Sequence, residues 1–350
     1  MKKIMTAMLV SSMLLAGCGS KEPQRELNIY SYGPLVPQEV LDDFTATTGI
    51  KVNVKEAAND EEIYETLKSN GGSEYDIAMV DDYILEPIIA DDLAMKLDTS
   101  KIENYKNINP VYQGQYFDPE NEYTVPYGAG IQTIIYNTDL VDFEIKGFDD
   151  LLNPALKDSI GMVDNMIIMM GLSLISNGES VSSEDMNAID AAGEKLVKMA
   201  PNVHAIEASK LDESLISEET SVGLMYTYEI NNVLAAAKEQ GMNFKVVYPQ
   251  EGIGFGTVVS FAPKNAPHQE ELYEFLNYIL DPEVAKICTE MVGYSTNKET
   301  DKLYDEEMKL TRTLPEDLDT SKMQVMENFS ADAMNRRSEW WIQFKNACGK

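Results

Sequence analysis

Histidine is almost absent from this 350-residue chain, which has two, and cysteine is scarce at three. His204 and His268 stand alone, and no CxxC or cysteine–histidine spacing occurs, so nothing in the sequence builds a zinc site. GxSxG, HExxH and phosphate-loop patterns are missing as well, which argues against the hydrolytic and nucleotide-dependent enzymes that use them. Basic residues are few: 28 Lys and Arg face 59 Asp and Glu, a formal net charge of −31. That balance argues strongly against nucleic acid and anionic membrane surfaces as partners, because both are polyanions. Beyond the N-terminus no apolar run approaches the roughly 20 residues that cross a bilayer. With 44% hydrophobic and 25% charged residues, the body has the composition of a chain that folds in water.

The N-terminus differs. Lys2 and Lys3 precede an apolar stretch from Ile4 to Leu15, broken by Thr6, Ser11 and Ser12. It is too short for a transmembrane helix and has the layout of an export signal. Leu15-Ala16-Gly17-Cys18 resembles the lipobox of bacterial lipoproteins, which implies a signal peptide over 1–17, lipidation of Cys18 and a polar tether over 18–26. Cys288 and Cys348 then remain in a compartment that permits a disulfide; a bridge and two thiols are both open.

The length suits about two domains. "ELNIYSY" (26–32) reads as a buried strand, and the helix after it places Val40, Leu41 and Phe44 on one face. "IKVNV" alternates as a strand. A second helix opens at "NDEE", where Asn59 can cap and Glu62 lies three residues on, and "YDIAMV" (75–80) is the third strand. A βαβαβ order predicts parallel strands with right-handed crossovers, whose carboxyl ends bind ligands. Ser31-Tyr32-Gly33 and Asp81-Asp82-Tyr83 are therefore expected on one cleft rim.

Six stretches carry a resemblance across nearly the whole mature chain: "FTATTGIKVNV", "EYDIAMVDDY", "YTVPYGAG", "FDDLLNPALKDSIGM", "VGLMYTYE" and "LNYILDPEVAKICTEMVGYSTN". Each is similar to a segment of the extracellular solute-binding proteins of ABC importers, most closely the spermidine/putrescine-binding branch. The resemblance implies an α/β, two-lobed, type II periplasmic-binding-protein-like fold, each lobe a mostly parallel sheet with flanking helices. It implies lobes of 27–136 with 258–300 and 139–255 with 301–350, joined by crossings near Asn137 and Gly256. It also implies a monomer without catalysis or cofactor that closes on a small molecule and docks on a membrane permease.

In that branch aromatic side chains cover the methylene chain of the ligand and carboxylates pair with its amines. By segment, Tyr32, Tyr83, Tyr226 and Tyr294 fall at family ligand positions, with Tyr127 and Tyr228 nearby. Two acidic positions of the family fall on Asn165 and Ile168, a third on Val258, and an aromatic one on Gly256. Asp81 and Asp82 on one rim, with Asp164 or Glu229 opposite, are the candidate replacements. A polyamine or shorter amine is the expected ligand. Met166, Met169 and Met170 are expected as core filler. Two other readings are a ferric site on Tyr226 and Tyr228, resembling iron-binding relatives, and a thiamin-degrading-type transferase using a cleft cysteine.

If Cys18 is the anchor, Cys18→Ser moves the protein from the membrane to the soluble fraction and leaves ligand affinity unchanged. Fractionation and calorimetry check this; a wild-type mature chain that carries no lipid would contradict it.

Overall fold

The computed structural model describes residues 25–207 and 209–349; the side chains of Tyr228 and Glu307 lie outside the description, as do the expected signal peptide and Cys18. The first segment runs β1 (Glu26–Ser31), α1 (Gln38–Thr48), β2 (Lys51–Glu56), α2 (Asp60–Asn70), β3 (Ile77–Asp81), α3 (Leu85–Ala90) and β4 (Thr124–Asn137). Then come β5 (Ile160–Val163), α4 (Met166–Ser176), α5 (Met186–Met199), β6 (Val203–Glu207), α6 (Leu211–Ile216), β7 (Val222–Tyr226), α7 (Thr227–Gln240) and β8 (Phe244–Val247). The chain finishes with β9 (Ile253–Phe261), α8 (Gln269–Ile279), α9 (Pro282–Val292), β10 (Tyr294–Ser295), α10 (Glu306–Arg312), β11 (Met323–Val325) and α11 (Ala331–Ala347).

Local chemistry sets the first elements. α1 buries Val40, Leu41 and Phe44 and stops at Gly49, whose left-handed φ of 74° lets its amide close back on Thr45. α2 starts where Asn59 accepts the Glu62 amide at 2.9 Å. β1 lies parallel between β2 and β3, β3 is antiparallel to β9, and β9 is antiparallel to β4. The expected βαβαβ unit is present.

β4 belongs to two sheets. Residues Thr124 to Ile131 pair with β9, and residues Gln132 to Asn137 pair with β7 and β8, beyond which β5 and β6 run parallel. Hydrophobic clusters cover both faces of the first sheet, one around Phe44, Phe255 and Phe275, the other around Tyr30, Ile63 and Phe261. A third cluster surrounds the second sheet; there Met169 and Met170 are core residues, and Trp341 and Phe344 of α11 close it.

The pairing therefore changes sheets at Ile131/Gln132, and the chain returns between β8 and β9, upstream of the crossings expected near Asn137 and Gly256. No turn residue marks the switch, because a 14-residue strand is long enough to serve both sheets. The C-terminal tail also divides. α11 packs on α4 and α5, whereas β11 joins β9 in the first sheet. A three-residue strand leaves no periodic signal. Gln324 of β11 accepts the Val181 amide at 2.9 Å, and Arg337 of α11, wholly buried, donates to the Val181 and Ser183 carbonyls and lies over the Phe329 ring. Cys288 packs in the first-sheet core and Cys348 beside the second, and the two are not joined.

Gly193 of α5 meets α11 so closely that an added Cβ would lie 2.1 Å from the Trp340 ring. Gly193→Ala is expected to destabilise the protein by about 1–3 kcal/mol through overpacking, seen as a lower Tm. Gly130→Ala, with open space beside the position, is the comparison and leaves Tm within a degree or two.

Candidate ligand-binding cleft

β1 and β3 are parallel neighbours, so the residues just past their ends meet. The Tyr32 hydroxyl donates to Asp81 Oδ1 at 2.6 Å. Asp82 opens the short turn after β3; its carboxylate is buried and accepts the Thr257 amide of β9 at 2.7 Å. Asp60, first residue of α2, is equally buried, and its Oδ1 faces the Asp81 amide at 3.4 Å. Three carboxylates thus converge at the carboxyl edge of the first sheet. None of them takes part in an ion pair among the described residues.

Burial in such company disfavours the charged form. Desolvation, reinforced by the neighbouring Asp81 charge, pushes the Asp60 and Asp82 carboxyls each up to about 7. Asp81 is raised too by burial, against the stabilising Tyr32 hydrogen bond. Burial and the same carboxylates hold the Tyr32 phenol well above its usual range, so it remains a donor.

Around this centre, the Tyr83 hydroxyl donates to Glu61 at 3.0 Å, and Asn328 of the tail donates to the Tyr83 carbonyl and to Glu86, both at 2.9 Å. The Tyr116 hydroxyl is buried without a partner and lies in the field of Asp82, Glu86 and Glu327.

The second sheet faces this edge through Tyr226, the last residue of β7, which pairs with Gln132 of β4. Its phenol hydrogen-bonds with Asn165 and is raised chiefly by burial, with the Glu229 and Asp81 charges adding to it. Tyr226 of the second sheet is thus close enough to Asp81 of the first for the carboxylate charge to act on its phenol. Asn165 caps α4, its Oδ1 accepting the Ile168 amide at 3.2 Å, and Ile168 is buried in the core.

The chain resembles known proteins along its full length. The model of the bacterial extracellular solute-binding protein family matches residues 39–308. The chain belongs to that family. The spermidine/putrescine-binding periplasmic protein of Salmonella typhimurium is 30% identical over 349 residues, 99% of each chain. A putrescine-binding periplasmic protein of Pseudomonas aeruginosa is 27% identical over 80% of each. Among solved structures, the spermidine/putrescine ABC transporter substrate-binding protein of Streptococcus pneumoniae, in complex with calcium and HEPES, is 32% identical with a TM-score of 0.81 and covers 93% of this chain and 99% of its own. As a member of this solute-binding family the protein is a transport component and not an enzyme.

Within this solute-binding protein, several residues expected in the cleft serve elsewhere. Tyr127 is buried in the first-sheet core, its hydroxyl donating to the Leu35 carbonyl at 2.8 Å, and Tyr294 is buried with its hydroxyl against that of Tyr248. Both are framework in this conformation. Asp164 is exposed and ion-paired with Lys345 of α11 at 3.0 Å. Glu229 is buried in the first turn of α7, where the Tyr226 amide partly offsets the burial that raises its carboxyl. Tyr228 falls in α7 rather than two residues along a strand from Tyr226.

Val258 is the register partner of Asp81 across β3 and β9, so a residue of β3 puts a carboxylate beside the position that has lost one. Gly256 faces Gly130 with open space beside both. Asp60 was not legible as a site residue, because "NDEE" reads as an ordinary acidic helix start. Among the described residues no group of three His, Cys, Asp or Glu is arranged to hold a metal ion. A cavity of about 1130 Å³ lies elsewhere, between β8 and the tail, and is lined by none of the carboxylates above.

Asp60 and Asp82 titrate in the folded state near 7 and in an unfolded chain near 3.9. The folded protein thus holds more protons between about pH 4 and 7, and stability falls as pH rises through that window. The Tm of the ligand-free protein is expected to drop from pH 5 to pH 8, and the Asp60→Asn/Asp82→Asn double variant to flatten the drop. An unchanged slope in that variant would show that the two carboxyls do not titrate there.

Proposed function

We propose that this protein captures a small cationic amine, a polyamine or shorter, between its two lobes and delivers it to an ABC permease from a lipid anchor at Cys18. The single observation that carries the reading is the convergence of buried Asp60 and Asp82 with half-buried Asp81, none with a basic partner among the described residues, beside Tyr32. Three carboxylates gathered where water is scarce repel one another, and an ammonium group seated among them relieves that repulsion. Tyr32, Tyr83 and Tyr226 would supply ring faces for the cation and the chain that bears it. The relatives named for spermidine and putrescine support the same substrate class.

Closure would bring the Tyr226 edge of the second lobe onto the Asp81 edge of the first. The lobes meet along β4 and the 248–252 return, and the tail from Gln324 to Ser330 bonds to both: Glu327 N to Ser182 and Ser330 N to Glu184 on one side, Asn328 to Tyr83 on the other. A hinge of this kind reports occupancy to a permease by shape.

Titration calorimetry with putrescine, spermidine and shorter amines tests the reading, with glucose and glutamate as comparisons. Amines are expected to bind and the comparisons not to. Asp81→Asn/Asp82→Asn should weaken the best amine by about 2 kcal/mol or more, some 30-fold, and Tyr226→Ala by about 1–2 kcal/mol. Asp142→Asn, exposed and outside the cleft, should leave affinity unchanged. Binding of a sugar or an anion in place of every amine would overturn the proposal.

A further inference from the structure

Resting on the amine reading above, we infer that the preferred ligand carries a single positive group, seated at the first-sheet edge, and presents an uncharged polar or apolar part to the second sheet. The charge on the two sides of the cleft is uneven. On the first-sheet side stand Asp60, Asp81 and Asp82, with Glu86 acting on Tyr116 at the same end. The Tyr116 hydroxyl at this end is buried without a partner, and a buried polar group of that kind is satisfied when a ligand or water hydrogen-bonds to it.

Across the cleft the two carboxylates nearest Tyr226 and Asn165 are both engaged. Asp164 is exposed and bound to Lys345, and Glu229 is turned to the Tyr226 amide at the start of α7. The residues that do face the cleft there are Tyr226 and Asn165, hydrogen-bonded to one another, and α4 begins just behind them. A helix start carries partial positive charge and repels a cation. A second ammonium placed on that side would leave water without a counter-charge, which costs several kcal/mol. An alcohol or amide group would instead hydrogen-bond to Tyr226 and Asn165. The space beside Gly130 and Gly256 adds room for an uncharged body.

Matched pairs decide the matter: aminoalcohols and diamines of three to five carbons, titrated into the purified full chain by calorimetry. The best aminoalcohol is expected to bind about tenfold or more tightly than the diamine of equal length. Asn165→Asp retains an N-cap residue for α4 and adds a carboxylate beside Tyr226. In that variant the diamine should gain about tenfold, with the aminoalcohol held within about twofold. A wild-type preference for the diamine would overturn the inference and leave the amine reading standing. Failure of every member of both series, with binding of a non-cationic solute, would overturn the amine reading and the inference together.

Discussion

Much of this structure depends on a single strand that hydrogen-bonds in two sheets. A strand buried along nearly its whole length must find partners for every amide and carbonyl, and β4 does so by taking β9 up to Ile131 and β7 with β8 from Gln132 onward. That one ladder fixes the distance between the two edges of the cleft. Asp81 is in register with Val258, Val258 with Gly128, and Tyr226 with Gln132. Four residues of β4 separate the two rows, about 13 Å at strand rise. The register shift between Pro126 and Gly128 lies beside this point, where a bulge bends a strand and increases its twist.

The electrostatics follow from that placement. Asp82 is held by the Thr257 amide because β9 lies against β3, and Asp60 reaches the Asp81 amide because α2 begins at the carboxyl edge of the sheet. The same geometry that satisfies backbone donors therefore packs three acids together. Nothing in the described surroundings neutralises them; their carboxyls rise instead, two of them to about 7. A protein with an excess of acids can place many of them harmlessly in solvent, as with Asp142, or against lysines, as with Asp164 and Lys345. Asp60 and Asp82 are buried, Asp81 is half-buried, and none of the three is ion-paired among the described residues, which sets them apart from the general acidity of the chain.

The tail adds a constraint that the sheets alone do not supply. β11 extends the first sheet while α11 covers the second core, and the residues between them hydrogen-bond to Ser182 on one side and to Tyr83 on the other. Arg337 and Phe329 pin this segment where it enters α11. Any motion of one sheet relative to the other must be accommodated here as well as along β4 and the 248–252 return.

The sequence by itself determined the first βαβαβ unit, because apolar alternation, the Asn59 cap and the Gly49 stop are local signals with local causes. It also determined that Tyr32 and Asp81 would meet, since parallel strands end on the same side, and six family-like stretches were enough for the α/β class. Tertiary structure decided which acids count. Asp60 read as an ordinary helix start and became a buried carboxylate only through the approach of β3; Asp164 and Glu229 read as candidates and are committed to Lys345 and to the Tyr226 amide. Tyr127 and Tyr294 read as cleft walls and are packed within the core. Burial and charge pairing are sums over neighbours distant in the chain, so no local pattern contains them; the periodicity of a strand says which face a residue takes, and only the packed sheet says what lies opposite.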